Sequence, residues 1–574
     1  MPLLLVLTLC LPLAGALVVS LLSGPAVRWA ALLFACATLV AAAIVVFSFP
    51  VMQDEDLRFA EWSSTWVSSP TGIDLRFHVA LDGISVWMFG LSALLIVTSI
   101  LVSWDAVQER TSLFYSMLLL LASGCLGVFT AQDLILFYVF FEFTLIPLFF
   151  LIGIWGSEQR RYAAIKFFLF TLAGSVLTFL GLLAIVWSVF CTTGEWTFSI
   201  VELTESLKIV PISSQQQTVI FLALFAGFAI KVPLFPFHTW LPLAHVQAPA
   251  AGSVILAGIL LKIGTYGFLR FNLPMLPEAT ALCMPWILVL SVAGILYGAL
   301  VALAQSDMKR LIAYSSVSHL GFCMLGLFAL NPLGLNGCVL QMVNHGISTG
   351  ALFALVGMLY ERYHTREIQE MQGLARRLPV LAFMLVLFTM SSIGLPGLNG
   401  FAGEILILVG MFQRGWADAP AGFQTIMTWI AVLAVGGVVL GAWYMLWLLQ
   451  RILFGSLKEP SADAADHAEL VTDLKLREIL AVAPLAVFVV WIGVQPSFFL
   501  DRIQPSVRSV TDSVEASVDQ VWRGPDRQAS LPVMTLPGSR ERTPDVEMFS
   551  GGPVSFVDGR YEETDDSFVL WNQR

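Results

Sequence analysis

Charged side chains are scarce in this chain. Asp, Glu, Lys and Arg make up only 12% of its 574 residues, whereas 57% of the residues are hydrophobic. A soluble domain carries about 25% charged residues, so the composition excludes a soluble enzyme. Repeated apolar runs of roughly 20 residues are each long enough to cross a bilayer as a helix. We therefore predict an all-α polytopic membrane protein embedded in a lipid bilayer.

Signatures of cofactor and metal sites are also missing from the sequence. The seven cysteines stand singly, mostly within apolar segments, and none forms a C-x-x-C pair. This pattern indicates neither a zinc site nor an iron–sulfur cluster, and no disulfide framework. The chain has no Gly-rich dinucleotide fingerprint and no phosphate loop. We expect no cofactor and no metal on this chain, so any redox cofactor that drives it must lie on another chain.

The apolar runs predict fourteen membrane spans. The first 22 residues lack the basic n-region of a signal peptide and are followed by further membrane-embedded chain, so we interpret them as the first span. The predicted boundaries are 2–22, 28–49, 82–104, 112–131, 133–154, 164–190, 217–246, 250–271, 281–304, 308–330, 336–360, 379–412, 425–453 and 477–500.

Two of the predicted spans are interrupted. Segment 7 contains Lys231-Val-Pro-Leu-Phe-Pro-Phe-His238, whose two prolines cannot continue the helical hydrogen bonds. Segment 12 contains one proline and four glycines between Gly394 and Glu404. Broken helices in corresponding positions are typical of an internal repeat, and the breaks indicate where the site lies. We predict helices 1–3 in residues 1–110, two inverted five-helix repeats in 111–271 (helices 4–8) and 280–455 (helices 9–13), and a loop with helix 14 in 456–500.

Basic residues are distributed unevenly between the predicted loops. Loops after odd-numbered spans hold fifteen Lys and Arg residues, whereas loops after even-numbered spans hold five. The positive-inside rule makes the odd loops cytoplasmic. We predict that the chain crosses the inner (cytoplasmic) membrane of a cell many times, with both termini on the non-cytoplasmic side.

The last 74 residues differ in character from the spans. Residues 501–574 carry thirteen acidic and eight basic residues and are interrupted by Pro and Gly. This composition predicts an acidic, extended C-terminal tail without a helical period, and it predicts no long lateral amphipathic helix. The acidity gives no hint of nucleic-acid binding.

Six ionisable residues lie inside the predicted spans. An ionisable group at membrane depth is costly and rare, and it usually serves an ion or proton route. The structural alternatives are a carboxyl neutralised for packing, a lysine that snorkels to the interface and a histidine satisfied in the core. Six such groups on separate spans are hard to explain in this way. We predict a proton-conducting protein that uses Glu142, Lys231, Lys262, His319, His345 and Glu404.

Two features of this set favour proton transfer. A Glu–Lys pair whose separation changes can take up and release a proton without redox chemistry, which fits Glu142 and Lys231. Histidine titrates near neutral pH and suits a relay. On span 11, Gln341, His345, Ser348 and Thr349 share one helical face, which indicates water inside the bundle.

Other polar residues have weaker patterns. His238 and His245 could gate proton uptake, or they could be interfacial residues beside Trp240. Asp133, Asp307 and Lys309 lie at the ends of predicted spans, where we expect them to be solvated or bound to loops.

Three stretches carry a resemblance to a known family. They are Phe235-Pro-Phe-His-Thr-Trp-Leu-Pro-Leu-Ala-His-Val-Gln-Ala-Pro249, Ala251-Gly-Ser-Val-Ile-Leu-Ala-Gly-Ile-Leu-Leu-Lys262 and Ser306-Asp-Met-Lys-Arg-Leu-Ile-Ala-Tyr-Ser-Ser-Val-Ser-His319. Together they resemble the antiporter-like membrane subunits of proton-pumping NADH:quinone oxidoreductase (respiratory complex I, NDH-1). The similarity spans about residues 80–500. Three complex I subunits share this core, as does a subunit of multisubunit cation/proton antiporters.

Glu404 indicates which of these subunits the chain resembles. M-type (chain 4) subunits carry glutamate at this position, whereas L-type, N-type and D-type antiporter chains carry lysine. The resemblance to the M-type implies that NADH, FMN, iron–sulfur clusters and quinone are bound by partner subunits. It also implies L-type and N-type chains as neighbours in the membrane.

The resemblance further implies a role for each buried group. Glu142 would modulate Lys231, and Lys262 would form a central polar axis with His319 and His345. Glu404 would be the terminal site toward the periplasm. The main alternative is a D-type subunit of a sodium/proton antiporter, and a purely structural membrane scaffold is the other.

Overall fold

The computed structural model describes residues 1–51, 58–68, 73–417, 419, 422–460 and 471–523. This part of the chain is mostly helical, as predicted. A two-stranded antiparallel hairpin, absent from the all-α prediction, lies between the second and third helices, and Phe59 pairs with Leu81 at its open end. The first elements are α1 (Pro2–Ser20), α2 (Ala26–Phe47), β1 (Phe59–Ser68), β2 (Asp74–Leu81) and α3 (Val86–Val102).

The next group of helices contains the first predicted break. A helix ends at Lys231 and the chain becomes helical again only at Leu241, because two prolines follow the lysine. The elements are α4 (Thr111–Thr130), α5 (Leu134–Phe143), α6 (Leu145–Trp155), α7 (Arg160–Thr193), α8 (Ile200–Ile209), α9 (Ser214–Lys231), α10 (Leu241–Gln247), α11 (Ala250–Ile255), α12 (Leu261–Gly267) and α13 (Leu273–Met275). Two π-helical segments, Leu256–Leu260 and Phe268–Asn272, join α11, α12 and α13 into one continuous span.

The second predicted break is also present. One helix ends at Ile393 and the next begins at Asn399, on either side of Gly394, Pro396 and Gly397. The remaining helices are α14 (Pro277–Leu303), α15 (Met308–Phe328), α16 (Pro332–Tyr363), α17 (Pro379–Ile393), α18 (Asn399–Trp416), α19 (Gln424–Leu453), α20 (Leu476–Val494) and α21 (Ser497–Arg523).

Burial separates central from peripheral spans. Within the described residues, eleven helical stretches are long and apolar enough to cross a membrane, and α3 and α17 are shorter apolar helices. The span Ala250–Met275, α15 and α16 are buried along nearly their whole length, whereas only 39% of α1 and α2 and 33% of α19 and α20 is buried. Exposed apolar helices surround a buried centre, as expected for a bundle in lipid. The count of fourteen spans and the inverted repeats remain predictions.

The predicted extended tail was wrong for its first part. Residues 501–523 continue the helix α21, which packs against α13, α14 and α16. Its buried residues are Phe499, Ile503, Val507, Val514 and Val518, spaced by four or seven positions, which is a helical period. Pro505 and the surrounding charges obscured this stripe, so the chain does carry an amphipathic helix after its last span. Residues 524–574 lie outside the described residues.

Candidate functional site

Lys262 lies on the most enclosed span of the bundle. Its side chain is fully buried, and its Nζ donates a hydrogen bond to the carbonyl of Ala257, five residues earlier. Ala257 belongs to the π segment Leu256–Leu260. A π-helical turn is wider than an α-helical one and often marks a functional site. The irregular turn therefore gives the ammonium group a backbone acceptor inside the membrane-spanning bundle.

Lys262 also contacts a histidine from another helix. Its Nζ lies 2.6 Å from Nδ1 of His345 on α16, and this histidine is only 3% exposed. The other ring nitrogen, Nε2, has no hydrogen-bond partner among the described residues. Since an imidazole can accept a proton on one nitrogen and release one from the other, His345 has a nitrogen free for onward transfer.

The second histidine, His319 on α15, lies next to His345. Their ring centroids are 5.6 Å apart. A small cavity of about 10 Å³ adjoins both rings, close to the lower limit for one water molecule. Its lining is largely polar and comprises His319, Gln341, Asn344, His345, Ser348, Thr349, Ser391, Ser392 and Gly400. The polar face predicted on span 11 is therefore confirmed as the wall of an internal polar space.

Glu404 on α18 contacts His319. Its Oε1 lies 3.1 Å from His319 Nδ1 and accepts a hydrogen bond of 3.1 Å from Gln341 Nε2. His319 Nε2 lies 3.2 Å from the hydroxyl of Ser392, so both ring nitrogens have partners. Glu404 is only 5% exposed. We name the series Lys262, His345, His319 and Glu404 the polar chain.

The break between α17 and α18 shapes the Glu404 end of the polar chain. Gly394 has a φ of +80°, and a Cβ there would lie 3.0 Å from Glu404 Oε2. A Cβ on Gly400 would lie 2.0 Å from the carbonyl oxygen of Ser391. Side chains of α16 satisfy polar groups at the break, since Asn344 donates to the carbonyl of Asn399 at 2.7 Å. Such partners are what allow irregular backbone inside a membrane protein.

Lys231 has different surroundings. It is the last residue of α9 and is 5% exposed, and its Nζ lies 4.2 Å from the ring centroid of Phe141 on α5. In the described part of the chain its ammonium group has no ion pair within 4.0 Å and no hydrogen bond. Glu142 follows Phe141 and interacts electrostatically with Lys231. Trp240 donates to the carbonyl of Ile230 at 3.0 Å, which satisfies a group freed by the break.

The contact between the two lysine-bearing helices is apolar. A Cβ on Gly264 of α12 would lie 2.7 Å from Val232 Cγ2 and 2.8 Å from the carbonyl oxygen of Phe228. No hydrogen-bonded series of side chains links Lys231 to Lys262 within the residues that the structure describes. The structure therefore joins four of the six predicted groups and leaves Glu142 and Lys231 as a separate pair.

The remaining predicted polar residues fall into two groups. Asp133 and Asp307 accept backbone hydrogen bonds at the starts of α5 and α15, and Lys309 donates to the carbonyl of Ala248 at 2.5 Å, so loop or backbone binding is confirmed. The interfacial interpretation of His238 and His245 stays a prediction. Both are buried, and His245 stacks on Phe353 with ring centroids 4.5 Å apart.

Several residues of the site were not predicted from the sequence. Ser391 donates to Asn399 at 2.5 Å and lies 2.5 Å from the hydroxyl of Ser348, while Asn344 and Ser392 contact the same region. The available signal was their position, because Ser391, Ser392 and Asn399 flank the predicted break. Asn344 lies beside His345 in the sequence and could have been included for that reason.

Comparisons with known proteins show the family of the chain. The family model described as NADH:quinone oxidoreductase/Mrp antiporter, TM, matches residues 131–431. NADH-quinone oxidoreductase subunit M of Rhodobacter capsulatus is 41% identical over 519 residues, which cover 88% of this chain and 96% of that relative.

Solved structures show the same architecture. A chain of respiratory complex I from Thermus thermophilus with bound NADH superposes with a TM-score of 0.77 at 31% identity, covering 89% of this chain and 99% of that chain. A chain of the Mrp complex from Dietzia sp. DQ12-45-1b superposes with a TM-score of 0.71 at 20% identity over 89% of this chain and 99% of that chain. This second likeness shows the fold alone.

Proposed function

The chain belongs to the family of NADH-quinone oxidoreductase subunit M, and on that premise we propose that it translocates protons across the membrane while other subunits transfer electrons. The observation that carries the proposal is the polar chain, in which buried ionisable side chains from α12, α15, α16 and α18 follow one another. A scaffold needs no such series, because ionisable groups inside a membrane are costly.

The polar chain supplies a transfer route inside the bundle. Lys262 passes a proton to His345 Nδ1. His345 then passes a proton on to His319 from its free Nε2. The small cavity next to both rings has room for a bridging water molecule. His319 then exchanges its proton with Glu404 across the 3.1 Å contact. Each step moves a proton between groups that already lie close together, so no large rearrangement is needed.

Lys231 and Glu142 act as the control point of the proposed route. A charged lysine in a buried site is stabilised by a nearby carboxylate, and the stabilisation falls as their separation grows. Lys231 therefore gains or loses a proton when α5 and α9 move relative to each other. In this proposal the motion is driven by electron transfer in partner subunits, which hold NADH, FMN, the iron–sulfur clusters and quinone.

The direction of transport follows from the basic loops. Fifteen Lys and Arg residues after odd spans, against five after even spans, make the odd loops cytoplasmic. Protons then enter from the cytoplasm and leave toward the periplasm beyond Glu404. The chain lies in the inner membrane between L-type and N-type neighbours, with both termini on the non-cytoplasmic side.

The experiment is NADH-driven proton uptake by inverted membrane vesicles carrying Glu404→Gln. Glutamine keeps the shape and one hydrogen-bond acceptor of the side chain but cannot carry a proton. We expect at least about tenfold slower uptake at equal complex content, since losing one proton-transfer group typically costs that much or more. The matched control is Glu205→Gln, an exposed carboxylate paired with Lys208.

Two outcomes would contradict the proposal. Normal uptake in Glu404→Gln would remove this residue from the route. Uptake that does not depend on NADH in the unmodified protein, but does depend on a sodium gradient, would favour the D-type antiporter alternative.

A further inference from the structure

The molecule contains an apolar crevice that is separate from the polar chain. Its volume is about 290 Å³, and it lies between α2, α3, α16, α20 and the start of α21. This volume is roughly twice that of an apolar cavity of about 150 Å³ that admits benzene. The walls include Leu39, Ala43, Phe47, Trp87, Leu91 and Leu94.

The crevice is elongated along the helix axes. Its lining residues follow one face of α2, from Leu39 to Phe47, and one face of α3, from Trp87 to Leu94. Seven or eight residues of helix span about 11 Å. Gly90 widens the middle of the slot, because it presents no side chain toward Val46. A slot parallel to membrane-spanning helices has the shape and direction of an extended hydrocarbon chain in a bilayer.

The end of the crevice near Trp87 carries a cation. Phe499 of α21 packs on Trp87 with ring centroids 4.5 Å apart, and Phe498 lies 5.9 Å from the same ring. Arg502, one turn further along α21, stacks over Phe498 at 4.1 Å and donates to the carbonyl of Phe49. A guanidinium at the end of an apolar slot complements an anionic headgroup.

The residues around the crevice indicate that lipid, rather than water, is the adjacent medium. Val40, Ile44 and Val487 lie on the neighbouring outer surface of α2 and α20 and are 60%, 47% and 63% exposed. Side chains of this kind contact lipid in a membrane protein, so hydrocarbon chains are the adjacent medium. Water is excluded because an apolar cavity stays dry.

We propose that the crevice binds one acyl chain of a membrane phospholipid. The chain lies along α2 and α3, and the phosphate lies on the side of Arg502. The lipid site does not depend on the proton route. An experiment can therefore disprove lipid binding without disproving proton translocation, and the reverse.

The test is photolabelling of the intact purified complex. The complex is reconstituted in liposomes that contain phosphatidylethanolamine with a diazirine in one acyl chain, and adducts are mapped by mass spectrometry after illumination. We expect adducts on residues 39–47 and 87–94 in at least about threefold excess over Leu169 and Val219, which are exposed apolar residues outside the crevice.

Matched variants sharpen the test. Ala43→Phe fills the crevice and should lower the adduct yield on 87–94 at least about fivefold, whereas Val40→Phe, one turn away on the exposed face of α2, should leave it unchanged. Arg502→Gln removes the cation at the headgroup end and should lower the yield about threefold. This second variant keeps the proposal testable if Ala43→Phe prevents assembly.

Two results would overturn the assignment. Adducts in the crevice no more frequent than at Leu169 and Val219 would show that no lipid chain is held there, as when a neighbouring subunit fills the slot. Stronger labelling of the crevice by a quinone with a diazirine in its isoprenoid tail, at equal mole fraction, would identify an isoprenoid quinone as the occupant in place of a phospholipid.

Discussion

The two buried lysines differ in what surrounds their ammonium groups. Lys262 donates to the carbonyl of Ala257 and lies 2.6 Å from His345, whereas Lys231 lies over the ring of Phe141 without such a contact in the described part of the chain. Both side chains are almost completely buried. A cation over an aromatic ring gains about 2 kcal/mol when it is desolvated, less than the cost of burying a charge.

This difference indicates different tasks for the two lysines. Lys262 is connected to its neighbours, so it can pass a proton without moving far. Lys231 has no such connection, and we propose that the separation between Lys231 and Glu142 controls how strongly its proton is held. In the proposed function Lys231 is the controlled step, and the polar chain is the conducting step.

The largest effect should come from removing the controlled step. Lys231→Ala should lower NADH-driven proton uptake by about a hundredfold and slow quinone reduction strongly, since no other ionisable side chain replaces it on α9. Assembly should persist because the lysine makes no ion pair that holds helices together. The measurement is proton uptake together with NADH oxidation in vesicles, with the exposed Lys208→Ala as control. Full proton uptake in Lys231→Ala would show that Lys231 does not control proton transfer.

Breaking the conducting step should have the next largest effect. His319→Gln retains hydrogen-bonding groups beside Glu404 but cannot be protonated, so we expect about tenfold slower proton uptake. The exposed His364→Asn serves as control, because asparagine tolerates the positive φ of 53° at this position. Unchanged uptake in His319→Gln would mean that protons bypass this histidine.

The next prediction concerns the effect of the Glu142 charge on Lys231. Glu142→Gln should lower uptake about fivefold, and Glu142→Asp should restore about half of the loss, because the effect on Lys231 depends on charge rather than on one fixed contact. Initial rates of uptake at equal complex content measure this, with the exposed Glu158→Gln as control. Equal loss in the Asp and Gln variants would indicate a contact that requires one geometry.

The smallest effect concerns packing beside the polar chain. A Cβ on Gly346 would lie 2.6 Å from Leu91 Cδ2 and 2.7 Å from the carbonyl oxygen of Gly258, so Gly346→Ala should destabilise by about 1–3 kcal/mol. Proton uptake should fall about twofold because His345 is the preceding residue. Gly350→Ala, one turn away, is the control, because a Cβ at Gly350 would lie no closer than 3.4 Å to any neighbouring atom, which is ordinary van der Waals contact. Thermal unfolding of the complex and uptake at 25 °C provide the measurements, and equal behaviour of both variants would contradict the packing argument.

Much of the architecture could be predicted because it depends on local composition. Apolar runs predict spans, and the two breaks follow from prolines after Lys231 and from Pro396 with its glycines. The hairpin of β1 and β2 and the helix α21 were not predicted. Both lie outside the spans, where polar and apolar side chains are mixed and packing against the bundle selects the conformation.

The site could be predicted only in part. The six ionisable groups were found because each stands in an apolar run, a property of the sequence alone. Asn344, Ser391 and Asn399 were missed because single polar uncharged residues are common in membrane helices, and only their mutual contacts distinguish them. The burial of His245 was missed for a similar reason, since it depends on Phe353 from a distant part of the chain.

The sequence by itself determined the membrane location, the broken helices and the identity of the ionisable residues in the polar chain. These depend on the free energy of transferring a segment into lipid, which is a sum over its own residues. The tertiary structure decided which of these residues are connected. Lys262 and His345 are 83 positions apart in the chain, and His319 and Glu404 are 85 apart, yet each pair lies within about 3 Å. A hydrogen bond requires two atoms at that distance, and only the packing of α12, α15, α16 and α18 places them there.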